Sequence, residues 1–133
     1  MGNKRFVNPP GLKTLGMYSN VTTARDCTLV FISGQVSVDA NGKIVGAGDI
    51  RAQAVQVFEN LKLALEGVGA SFADVIKFTI YIRNLTQEAR KAVMEVRSRH
   101  ISQKQPPAAT MIGVDRLVED DLLLEIEAVA AID

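Results

Sequence analysis

The strongest constraint on the fold is a run near the C-terminus, Leu122-Leu123-Leu124-Glu125-Ile126-Glu127-Ala128-Val129-Ala130. Side chains alternate between the two faces of a strand. Leu122, Leu124, Ile126, Ala128 and Ala130 therefore share one face, and Leu123, Glu125, Glu127 and Val129 share the other. The first face is built for a core. The second sets two carboxylates among apolar neighbours, in a strand otherwise suited to burial. An ionised carboxylate in apolar surroundings is costly without donors, and such groups are candidate acids or bases. The plainer alternative is a face that meets solvent or another subunit with its carboxylates paired.

The rest of the chain supplies what this strand needs. A short edge strand is expected at Lys4 to Val7, ahead of Pro9-Pro10, because proline cannot feed a central ladder. Tyr18 to Thr23 reads as a strand followed by a polar turn at residues 24–26, and Thr28 to Ile32 as a stronger one running into Ser33-Gly34-Gln35. Gly34 permits a bulge or the close approach of another group. Asn41-Gly42 is a turn signal. Asp49 caps a helix to about Glu66, with Ile50, Ala54, Phe58, Leu61 and Leu65 as its apolar stripe and Gly67 and Gly69 at its exit. Asp74 to Ile82 alternates, with Ile76, Phe78, Ile80 and Ile82 facing one way and Val75, Lys77, Thr79 and Tyr81 the other. Thr86 caps a second helix to about Ser102, with Ala89, Val93, Val96 and His100 inside and Arg90, Lys91, Arg97 and Arg99 outside. Ala108 to Val114 follows as a strand. The order implies an α+β architecture: a mixed β-sheet with two α-helices packed on one face, residues 1–133 forming one domain. The opposite sheet face has nothing in the chain to cover it, and a subunit interface is the economical solution.

Composition excludes several chemistries. Lys and Arg number 15 against 15 Asp and Glu, so no global charge draws the chain to nucleic acid or an anionic membrane. His100 is the sole histidine, so a Ser-His-Asp relay or a multi-histidine metal site within one chain is unsupported. Near a helix end, it suits the helix dipole. Cys27 is the sole cysteine and reads as a small packing residue in a reducing, cytoplasmic setting. No apolar run approaches the roughly 18 residues of a membrane span, and the N-terminus lacks an export signal's apolar core. No metal or cofactor is called for.

Several segments in order are similar to one family. They are Tyr18, Ile32-Ser33-Gly34-Gln35-Val36, the helix stretch from Gln53 to Leu61, Asp74-Val75-Ile76-Lys77, and Val114-Asp115-Arg116-Leu117 leading to Glu125-Ile126-Glu127-Ala128. Together they cover about Gly16 to Ala130, and the chain resembles the RidA/YjgF proteins. The resemblance implies a chorismate-mutase-like fold and a homotrimer with small-molecule clefts between subunits. It also implies hydrolysis of reactive enamines and imines to carbonyl compounds and ammonia. By the same resemblance Glu127 positions or activates water, and Tyr18, Ser33 and Gly34 line the cleft.

One family residue is replaced. The segment Pro107-Ala108-Ala109-Thr110 places Ala109 where the family carries the arginine that grips the substrate carboxylate, and Ala92 falls where an asparagine often assists. Removing one partner from a buried pair of that kind costs about 2–5 kcal/mol, or roughly one and a half to nearly four decades of affinity. Lys77 is a substitute if its side chain reaches the cleft. Three readings follow: a deaminase with altered substrate choice, using Glu127; a non-catalytic trimer that binds a small metabolite or regulates a partner; and an RNA-directed activity attributed to some relatives, which the neutral charge and few aromatics do not support.

Overall fold

The structure is a computed structural model and describes residues 3–133; Met1 and Gly2, which begin the N-terminal segment, lie outside the described residues. The elements follow in the order β1 (Lys4–Val7), β2 (Val21–Ala24), β3 (Thr28–Val36), α1 (Ile50–Glu66), β4 (Val75–Arg83), α2 (Gln87–Ser98), β5 (Ala108–Val114) and β6 (Leu124–Ile132). A one-turn 3-10 helix, Phe72–Asp74, leads into β4. The main sheet has the order β3-β6-β4-β5; β6 is antiparallel to both neighbours, and β4 and β5 are parallel. A helical crossover through α2 is what a parallel pair requires. The C-terminal strand thus lies inside the sheet, with partners on both edges, which accounts for its apolar inner face.

Two-strand pairing of β1 with β2 makes a small side sheet. It is tied to the main body by the Thr22 hydroxyl, which donates to the Ile76 carbonyl at 2.7 Å, and by Lys4 Nζ, which donates to the Ala131 carbonyl at 2.9 Å.

Both helix starts follow from their capping residues. Asp49 Oδ1 accepts from the Ala52 amide at 3.1 Å, and Thr86 Oγ1 accepts from the Ala89 amide at 3.1 Å. The helices cover one face of the sheet. Ala54, Val57, Phe58, Leu61, Leu65, Val93 and Val96 meet Ile32, Phe78, Ile80, Ile82, Leu124, Ile126 and Ala128 in one buried cluster. Each large aliphatic or aromatic side chain there contributes about 1.5–3 kcal/mol relative to exposure. Gln53 lies within this helix face, fully buried. Its Nε2 donates to the carbonyls of Gly46 at 3.1 Å and Asp121 at 2.8 Å, and its Oε1 accepts from the Leu123 amide at 2.8 Å. One side chain therefore braces α1 against the start of β6.

Three expectations are corrected here. Residue 18 lies in a bend, not a strand, because Ser19 is bonded to the Pro106 and Pro107 carbonyls; β2 begins at Val21. In β4 a register shift against β6 falls between Val75 and Lys77, so Val75, not Ile76, is buried. The second helix stops at Ser98, which leaves His100 beyond it. There the imidazole stacks on Phe58, with ring centroids 5.3 Å apart and planes 1° from parallel, and also meets Phe72 at 5.0 Å. It serves aromatic packing, not the helix dipole.

Burial lowers the His100 pKa from its ordinary 6.5, opposed by the nearby Glu59 carboxylate and reinforced by the charges of Lys62 and Arg99. The unfolded chain then binds more protons than the folded one below that value, so stability falls as pH drops through it. Melting curves between pH 8 and pH 5 are expected to show this loss, and His100→Phe is expected to flatten it. An unchanged slope in the variant would assign the pH dependence elsewhere.

Candidate functional site

The helix-facing side of β5 is only partly filled. Ala109 pairs with Phe78 and Met111 with Ile80, so both point toward α2. The loop before β2 closes over this edge. The Ser19 amide donates to the Pro107 carbonyl at 3.1 Å, and the Ser19 hydroxyl to the Pro106 carbonyl at 2.6 Å. The result is a cavity of about 140 Å³ bordered by Tyr18, Arg90, Met94, Arg97, Ala109 and Met111. Tyr18 Oη accepts from the Leu15 amide at 3.1 Å, which leaves the hydroxyl hydrogen for another acceptor.

Arg97 dominates the electrostatics of this cavity, contrary to its expected place on the basic outer side of the helix. It is only 2% exposed. Nη2 donates to the Met17 carbonyl at 2.6 Å, Nη1 lies 3.9 Å from Met94 Sδ, and the guanidinium carbon sits 5.6 Å from the Phe78 ring centroid. Its Nε–H is buried without an acceptor. Among the described residues no carboxylate pairs with it. Burial pushes the guanidinium down to about 10, so it stays charged at neutral pH. Taking such an ion out of water costs several kcal/mol in effective terms; the carbonyl and the Phe78 face offset part of that. Arg90, seven residues earlier, lines the same cavity. Lys91 and Arg99 are exposed, as expected.

The remaining expected residues lie on the other face of the sheet. Glu127 is exposed in the isolated chain, so the expectation of an apolar shelter is not met within one copy. The Tyr81 hydroxyl donates to Glu127 Oε1 at 3.0 Å. That hydrogen bond, then burial and the charges of Glu127 and Glu125, raise the Tyr81 pKa above 10.0 and keep it a donor at neutral pH. Opposite Glu127, β3 carries one extra residue: Ile32 pairs with Ala128 and Gln35 with Ile126, leaving Ser33 and Gly34 as a bulge. Gly34 is also the site of a close approach. A Cβ there would stand 1.9 Å from Glu125 Oε2. Lys77 donates to Thr110 Oγ1 at 2.9 Å on this outer face and does not line the cavity. Ala92 is buried on α2.

Tyr18 and Ala109 are thus brought together, whereas Ser33, Gly34 and Glu127 form a second group behind the sheet. Sequence reasoning missed Arg97. The available signal was its spacing: it follows Val93 by four residues and borders the apolar stripe.

A sequence profile described as Endoribonuclease L-PSP matches residues 10–132. The chain belongs to the RidA/YjgF family. A RutC family protein of Pyrococcus horikoshii is 37% identical over 118 residues, 89% of each chain. A 2-iminobutanoate/2-iminopropanoate deaminase of Dermatophagoides farinae is 31% identical over 134 residues, 100% of each chain. Among solved structures, the Rid family protein YyfB of Yersinia pestis, of unknown function, superposes with a TM-score of 0.88 at 32% identity, covering 98% of this chain and 99% of that one. The RidA-type fold is accordingly the one observed, two helices on a mixed sheet. Among the described residues no helix is long and apolar enough to cross a membrane.

Proposed function

We propose that this chain hydrolyses a reactive imine or enamine to a carbonyl compound and ammonia, as one domain acting in clefts between the subunits of a homotrimer. One observation carries the reading: Tyr18 and Ala109, far apart in sequence, both line one cavity, while Glu127 is exposed on the opposite face of the sheet, so a site that combines all three would draw on a second copy. The outer face also exposes Phe31 at 75%, Leu29 at 49% and Ile112 at 42%. Large apolar side chains are thus exposed on both edge strands of this face, β3 and β5; exposure of that kind suits an interaction surface, and covering it would give Glu127 its shelter.

In this scheme Glu127 takes a proton from water as the oxygen bonds to the imine carbon. The same carboxyl group returns the proton to nitrogen to give the carbinolamine, then takes the hydroxyl proton and passes it to the amino nitrogen as the C–N bond breaks, giving carbonyl and ammonia. The Tyr18 hydroxyl hydrogen is available to the substrate, and the Ser33-Gly34 bulge shapes the wall beside Glu127. No cofactor or metal takes part. A cytoplasmic location accords with a chain whose sole cysteine is Cys27.

The test is ammonia release from freshly generated 2-iminopropanoate and from a neutral imine. Release faster than in buffer is expected; none for either compound would refute the reading. Ala109 favours a second reading, a trimer that binds a metabolite without turning it over. Ligand-raised melting temperature with no ammonia would select it.

A further inference from the structure

We propose that Arg97 is the anion-binding group of this site: α2 supplies from the helix side the cation that strand β5 lacks at Ala109, and the ligand is a small carboxylate with a short apolar body. The inference rests on the cleft reading above for the location of the site.

The geometry argues for it in three ways. A guanidinium carries five N–H donors. Met17 and Met94 engage one each on Nη2 and Nη1, and the Nε–H has no acceptor in the chain. The Nε atom is itself sealed from solvent, so the charge and the unengaged Nη hydrogens of a side chain that borders the cavity are what an entering anion would meet in a charge-assisted bond. Second, the walls suit a small apolar tail. Met17, Ile80, Met94 and Met111 line the cavity, and its volume of about 140 Å³ accommodates a short-chain acid. Third, Ala109 and Arg97 are spatially complementary. Ala109 pairs with Phe78, and the Arg97 guanidinium lies over the Phe78 ring. A long cation at position 109 would meet a like charge there; alanine leaves that position open. Arg90 on the same helix face adds a second positive group at the cavity rim.

A purely structural Arg97 would hold the loop at Met17 and have no effect on ligand charge. The test therefore measures discrimination. Binding of 2-oxobutanoate and of its neutral amide is followed by NMR titration on the full-length protein. The parent is expected to bind the carboxylate at least about tenfold more tightly than the amide, an Arg97→Met variant to lose about thirtyfold or more in carboxylate affinity, and an Arg99→Gln control to match the parent. Arg97→Lys, which keeps charge but not the planar fork, is expected to retain the preference with weaker binding. It also serves if the methionine variant does not fold.

Equal binding of acid and amide by the parent, or binding of neither, would overturn the proposal, as would undiminished carboxylate binding in a folded Arg97→Met or in Arg97→Lys. The two readings fail separately. Imine turnover without a carboxylate preference sinks this one and keeps the deaminase. A carboxylate preference lost on removing Arg97, with no ammonia release, does the reverse.

Discussion

Replacing Glu127 with glutamine is expected to slow ammonia release by about 10²–10⁴-fold, the range for removing a positioned general acid or base. The amide keeps an oxygen that can accept from the Tyr81 hydroxyl, so the local hydrogen bond survives while the exchangeable proton is lost. Within one subunit Glu127 is exposed, so the fold of the subunit itself is expected to move by no more than about 0.5 kcal/mol, and assembly is checked separately. The measurement is initial-rate kinetics on the parent and on Glu127→Gln, with circular dichroism and sedimentation to show that fold and assembly are intact. A variant as fast as the parent would remove Glu127 from the chemistry.

The largest effect on stability from a single polar residue is expected at Gln53. Replacement by leucine keeps the volume and apolar contacts of the helix face, yet it strands the Leu123 amide and takes a donor from the Gly46 and Asp121 carbonyls. An unsatisfied buried group costs about 1–3 kcal/mol; the Gly46 carbonyl keeps the Asp49 amide as a donor, so the Leu123 amide and the Asp121 carbonyl are the two groups left open, at about 2 kcal/mol together at the low end. That is a large share of the roughly 5–15 kcal/mol by which a domain is stable. Urea unfolding should place the Gln53→Leu midpoint well below the parent's. A midpoint within error of the parent's would mean that water replaces all three bonds and that the brace is dispensable.

Much of the architecture was legible because local rules and tertiary structure agree. Asp49 and Thr86 cap where capping chemistry puts them, the bounds of β1 and β5 follow from their flanking prolines and turns, and the alternation in β6 gives its inner face. The failures arise where a long-range partner decides. Val75 and Ile76 exchange faces because of a bulge defined by the register of β6. Residue 18 leaves the extended state because Ser19 is held by Pro106 and Pro107. Arg97 reads as a solvated charge on a helical wheel and is hidden by a loop some eighty residues earlier, which no helical periodicity encodes. The resemblance pointed to both Tyr18 and Glu127, but that they lie on opposite sides of the sheet depends on which face β5 presents, and that follows from its pairing with β4.

The bulge in β3 has a consequence for how this protein can vary. The room occupied by the Glu125 carboxylate is the room a methyl group would take on residue 34. Those two positions, on neighbouring strands, draw on a common volume. Any lineage that enlarges the first must swing aside or shorten the second, so the residues tolerated at the two positions depend on each other.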